Sequence, residues 1–117
     1  METYTPDNLI AGEYPLVTDI VTILEGEVLT RGTCLGKITT GGKHVIVNSA
    51  GTDDGRRAPV AILAEDIDAT DGDVQATVYL SGAFNQNAVT FGGTDTADTH
   101  RAALRDLNIY LKNAVTA

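Results

Sequence analysis

From residue 20 onward, apolar and polar positions change places every one or two residues, a period that suits extended chain. Ile20, Val21, Ile23 and Leu24 open the pattern. Two short strands are expected around Val28–Leu29 and over 35–39, joined by Arg31-Gly32. Gly41-Gly42 marks a turn, and 43–48 (KHVIVN) is β-branched and strand-like. The loop 49–57 (SAGTDDGRR) carries Asp54-Gly55 as its tight turn. Residues 58–64 (APVAILA) are a short apolar run, read as a buried strand. A second polar loop is expected over 65–73. Residues 74–80 (VQATVYL) alternate cleanly, with Val74, Ala76, Val78 and Leu80 on one face and Gln75, Thr77 and Tyr79 on the other. Ser81-Gly82 should break or bulge that strand, and a weaker one is expected over 83–91.

The pattern changes once. After TDTADTH, the run Ala102, Ala103, Leu104, Leu107 has helix propensity and partly helical spacing. Asp95, Thr96 or Asp98 can cap it, and Asn108 can stop it in the left-handed conformation. Alternation then resumes over 109–115, so the chain should end on a strand. Residues 1–19 fit neither period. Pro6, Gly12 and Pro15 break them up, and Leu9 and Ile10 are the only adjacent aliphatics before Leu16. They read as an extended N-terminal arm, followed by a β-rich domain over 20–117. The expected fold is α+β: a small barrel-like domain of short strands with one C-terminal helix.

Composition narrows the partners. The 117 residues carry 8 basic and 16 acidic side chains, a formal charge of -8. Nucleic acid is an unsuitable partner for such a field, because its phosphates need clustered Lys and Arg. No apolar run approaches the ~20 residues of a membrane-spanning helix, and the N-terminus has no signal-peptide pattern, so synthesis in a cytoplasm is expected. The one cysteine, Cys34, cannot make an internal disulfide and reads as a buried thiol. Aromatic residues are scarce, so the core must be aliphatic.

No catalytic pattern stands out. Gly26, Gly32 and Gly36 match neither a P-loop nor a dinucleotide fingerprint; tight turns and bulges are the simpler reading. Spaced glycines and valines also suit a lipoyl or biotinyl carrier domain, but Lys37, Lys43 and Lys112 lack the context of an attachment lysine. Asp66, Asp68, Asp71 and Asp73 suggest calcium, yet the positions where an EF-hand needs Gly and Glu hold Asp71 and Thr77. Cys34, His44 and His100 have no metal-ligand spacing. Nothing in the sequence brings Cys34 and His44 together as nucleophile and base. No enzyme activity, cofactor or metal is expected.

Residues 58–69 (APVAILAEDIDA) and 78–85 (VYLSGAFN) resemble the head decoration proteins of tailed phages, the family of the phage lambda decoration protein. The shared features are the Asp54-Gly55 turn, the Val60-Ala61-Ile62-Leu63 strand, the polar gap 70–73 and Ser81-Gly82-Ala83-Phe84. The stretch 31–39 and the C-terminal LRDLNIYLK (104–112) look like longer members. Ala61 departs from the lambda type, which has Gly there; both are small. The resemblance implies a non-enzymatic virion protein, made in the bacterial host cytoplasm. It implies a homotrimer on the outside of the expanded capsid, at three-fold and quasi-three-fold sites, clamping the major capsid protein against DNA pressure. It also implies that the arm makes capsid contacts by adding a strand to a capsid sheet edge. Thr3, Tyr4, Thr5 and Pro6 would pair through backbone, and Leu9 and Ile10 would fill shallow pockets. The competing reading from residues alone is a small β-barrel interaction or carrier domain.

Overall fold

A computed structural model describes residues 9–10 and 15–112 of the chain. Its strands are β1 (Val17–Ile23), β2 (Val28–Leu29), β3 (Cys34–Lys37), β4 (His44–Ile46), β5 (Pro59–Leu63), β6 (Ile67–Asp68), β7 (Val74–Asn85) and β8 (Ile109–Lys112). One α-helix, α1 (Ala97–Asp106), occurs among the described residues. The main sheet runs β1-β4-β3-β5-β7, and β7 pairs back onto β1, which closes a five-stranded barrel. Only the β1–β4 contact in that ring is parallel. The far half of β7 leaves the barrel and pairs in parallel with β8, from Gly82↔Ile109 to Asn85↔Lys112. A parallel pair needs a crossover connection, and the segment containing α1 supplies it.

Alternation along the strands feeds two apolar cores. Ile23, Leu35, Ala61, Leu63, Ala76 and Val78 fill the barrel. Cys34, Val47, Ile62, Phe84, Leu104 and Ile109 fill a second core, to which α1 and β8 contribute. Neighbours in sequence therefore part company: Cys34 joins one core and Leu35 the other, and Ile62 is separated in the same way from Ala61 and Leu63. This is why 58–64 is apolar without a break. A strand with a core on each face has no solvated face to mark with polar residues.

The strands expected from the pattern are present, the last of them as far as Lys112 with 113–115 outside the described residues, and with four differences. β1 begins at Val17, inside the stretch read as arm, because its backbone pairs with β7 from Val17↔Ser81 to Ile23↔Val74. The loop 65–73 contains β6, which closes a two-stranded ribbon with β2 through Val28↔Asp68 and Leu29↔Ile67; a two-residue strand is too short to show a period. β7 continues through Ser81-Gly82 to Asn85, and a register shift against Val17/Thr18 leaves Leu80 as the residue without an opposite number. Leu80 is thereby exposed instead of facing inward with Val78. The strand expected over 83–91 is the end of β7 followed by a single 3₁₀ turn, Gln86–Ala88. Thr96 is the residue that caps α1, with its N–H donating to the Thr99 hydroxyl at 3.0 Å, and Asn108 has φ 66° as expected.

Two glycines show what their spacing is for. A Cβ on Gly36 would lie 2.7 Å from the Arg56 carbonyl oxygen, because the loop 49–57 crosses directly over β3 there. Gly32 has φ 95°, and a Cβ on it would meet the Ala88 carbonyl oxygen at 2.6 Å. Both are close backbone approaches that only glycine permits. Neither belongs to a phosphate cradle.

Candidate functional site

The residues singled out in the arm divide at Leu9. Thr3, Tyr4, Thr5 and Pro6 lie outside the described residues. Leu9 is 2% exposed, and its side chain is part of the second core with Phe84, Leu104 and Ile109. Its carbonyl accepts a 2.7 Å hydrogen bond from the Asn85 N–H, and Ile10 bridges to Phe84 in antiparallel fashion. Leu9 and Ile10 thus extend the sheet along β7, on the edge that β1 also uses. In this arrangement the Leu9 side chain fills a pocket of its own chain. Ile10 packs against the same core and is partly buried.

A second feature is a set of exposed apolar side chains near the start of β1. Val17 is 50% and Ile20 63% exposed, and Leu16 and Leu80 are exposed beside them. The register places Thr18, Ile20 and Thr22 opposite Tyr79, Thr77 and Gln75. These point away from the barrel interior, which Val21 and Ile23 face with Ala76 and Val78. Tyr79 on this outer side is packed against the second core, whereas nothing among the described residues covers Ile20. Val17 is in phase with Val21 and Ile23 and so lies on the other face of β1 from Ile20, which stands as a single exposed apolar residue among Thr18, Thr22 and Thr77. The sequence held the signal: Ile20 is out of phase with Val21 and Ile23, so the strand has apolar residues on both faces.

Cys34, Ser49, Asp95 and His100 are held in packing or hydrogen bonds, and Cys34 and His44 lie on different strands. Cys34 is fully buried; burial, and then the Asp95 charge, push its thiol far up, so it stays protonated. His44 sits in β4 opposite Lys37, on a different strand from Cys34. Ser49, Asp95 and His100 do meet, but in the wrong order for a base-activated hydroxyl. Asp95 is the middle member, taking the Ser49 Oγ–H and N–H on one side and lying 2.7 Å from His100 Nε2 on the other. In a nucleophile–base pair the imidazole must touch the hydroxyl. Here the carboxylate instead ties the loop at Ser49 to α1, and Phe91 stacks on the His100 ring at 5.6 Å.

Three aspartates of the acidic loop are similarly engaged. Asp66 accepts from the Arg31 N–H, Asp68 from the Thr70 N–H, and Asp73 from the Glu25 N–H while pairing with Lys43. Among the described residues no three His, Cys, Asp or Glu side chains are grouped to hold a metal. Lys43, the lysine that follows the Gly41-Gly42 turn, is thus held in an ion pair.

His44 gives this fold a pH dependence. It is buried, and its Nδ1 has no hydrogen-bond partner. Burial first, and then the Lys37 charge, lower its imidazole below the ordinary 6.5. The unfolded chain takes up this proton near pH 6.5 while the folded chain does not, so stability must fall as pH drops below that value. Urea denaturation at pH 7.5 and pH 5.5 should show the loss, and His44→Gln should remove its His44 share. An unchanged pH slope in that variant would refute the assignment.

Among the described residues no helix is long and apolar enough to cross a membrane. Comparison with curated proteins finds no match. Comparison with protein-family models finds one described as Bacteriophage lambda head decoration protein D, which matches residues 1–110.

Proposed function

The chain belongs to the bacteriophage lambda head decoration protein D family, and we propose that it is a homotrimeric cement protein that binds the outside of the expanded capsid at three-fold and quasi-three-fold sites. The observation that carries this reading is the match over nearly the whole chain, with the segment 1–8 included. The family is one of structural phage-head proteins, and its place is the virion capsid.

In the proposed mechanism the anchored Leu9 projects residues 1–8 from the end of the sheet. Thr3, Tyr4, Thr5 and Pro6 pair with an edge strand of the major capsid protein. Backbone hydrogen bonds supply affinity, and alternate side chains supply specificity. Ile20, exposed on the outer face of β1, is the position at which self-association is proposed, with heterologous contacts that close into a three-fold ring. A ligand that binds the intact shell and not its separated subunits stabilises the shell by mass action. Three arms on one trimer add avidity, since each engages a separate subunit.

The test is co-sedimentation of the purified protein with expanded, undecorated capsids and with unexpanded procapsids. Saturable binding to the expanded form alone, near one copy per capsid subunit, is the expected result. Absence of binding to either would refute the function. Ile20→Asp puts a charge on a 63% exposed position, so it should leave the fold intact, with an unchanged circular dichroism spectrum. It should still convert the trimer to monomer at micromolar concentration in sedimentation velocity. A trimer that survives this change would move the interface elsewhere.

A further inference from the structure

The capsid reading makes no use of a concave surface beside α1. A groove of about 320 Å³ runs between α1 and β8, lined by the chain at 109–111, whose Ile109 and Leu111 side chains are turned into the second core, and by Arg101, Arg105 and Lys112. Three of the chain's eight basic residues therefore meet in one place on a protein with a formal charge of -8. Arg101 is engaged: its guanidinium donates to the Leu111 carbonyl at 2.9 Å and to Gln86 Oε1, and pairs with Asp98. Arg105 and Lys112 are exposed and form no ion pair among the described residues.

The Arg101 bond limits how a partner can bind. β8 ends the sheet, and an unpaired edge is ordinarily a site for adding a strand. The Leu111 carbonyl on that edge already accepts from Arg101, so a partner in this groove is recognised through its side chains. Carboxylates are the groups that Arg105 and Lys112 would recognise. The groove also adjoins the arm. Leu9, Asn85 and Lys112 stand side by side across the sheet, since Asn85 N–H donates to the Leu9 carbonyl and Asn85 is in register with Lys112. Leu9 and the groove's Lys112 thus lie on either side of Asn85 at one end of the sheet.

We propose that the groove takes an acidic segment of the same capsid subunit that receives the arm, through Arg105 and Lys112. The inference rests on the decoration reading. It adds an electrostatic contact to the backbone pairing of the arm, and with it a salt dependence. The protein's overall charge would repel an acidic surface at long range, and the groove provides the local exception.

Full-length protein and the Arg105→Glu/Lys112→Glu double variant are titrated onto expanded capsids at low and at near-physiological NaCl, with Arg57→Glu, in the loop 49–57, as the control. Both changed side chains are exposed, so folding is checked by an unchanged melting temperature. The expected result is binding weakened by roughly tenfold or more at low salt, with a flatter salt dependence, for the double variant alone. Equal weakening by Arg57→Glu would show general charge repulsion and overturn the groove. Binding identical to wild type would do the same while leaving the decoration reading intact. Tighter binding by the variant would show that the groove holds this chain's own Glu2 and Asp7, and would overturn the proposed occupant. Failure of the wild-type protein to bind overturns both readings.

Discussion

Removal of residues 2–8 is expected to leave a folded protein that no longer binds expanded capsids, whereas removal of residues 2–14 is expected to damage the fold as well. The difference is Leu9. Its side chain is 2% exposed and packed among Phe84, Leu104 and Ile109, and its carbonyl holds the Asn85 N–H. Deleting a buried leucine side chain costs about 2–5 kcal/mol, from lost transfer energy and the cavity left behind. Leu9→Ala should lose that amount in urea denaturation while keeping the arm's backbone. The shorter truncation should melt within a few degrees of the full-length chain and fail in co-sedimentation. Full capsid binding by the 2–8 deletion would sink the arm mechanism. A fully stable 2–14 deletion would show that Leu9 is dispensable to the core.

Asp95→Ala should be the most damaging single substitution of a polar residue. The Asp95 side chain is 3% exposed, and it satisfies the Ser49 N–H, the Ser49 hydroxyl and the His100 ring. Removing one member of a buried, paired group leaves its donors desolvated and unpaired, at a cost of about 3 kcal/mol or more. For a domain near this size, that loss lowers the melting temperature by roughly 10–20 °C. Asp95 also sets an acid limit. Burial pushes its carboxyl upward, but the Ser49 and His100 contacts outweigh that and hold it below its ordinary 3.8. The stabilisation is fully present above the unfolded value and is lost as pH falls through the folded one. Asp95→Asn keeps an acceptor and the volume, so it should lose less at pH 7 and lack this contribution to acid unfolding. Equal stability of Asp95→Ala and wild type at pH 7 would show that the loop needs no tie to α1.

The reading of 1–19 as an extended arm rested on Pro6, Gly12 and Pro15, of which Pro6 and Gly12 lie outside the described residues, and the described part of the stretch departs from it. Leu9 and Ile10 looked like free hydrophobic residues because their partners, Phe84 and Asn85, are more than seventy positions away in sequence. The groove was invisible for the same reason. Arg101, Arg105 and Lys112 are spread over two elements of different period, and only the turn at Leu107-Asn108 folds α1 back along β8.

The sequence by itself determined the β-rich class, the single late helix with its stop at Asn108, and the positions of most strands. These follow from local causes: side-chain period, turn chemistry and capping, each settled within a few residues. It could also show that β5 is buried, because a strand between two cores has no polar face. Only the tertiary structure decided that the strands close on themselves, that β7 overruns Gly82 to carry β8, and that Leu80 turns outward while Leu9 turns in. Strand order and register depend on which distant backbone groups pair, and a shift of one residue reverses every side chain after it. No local pattern records that choice; it is fixed when the two cores are packed together.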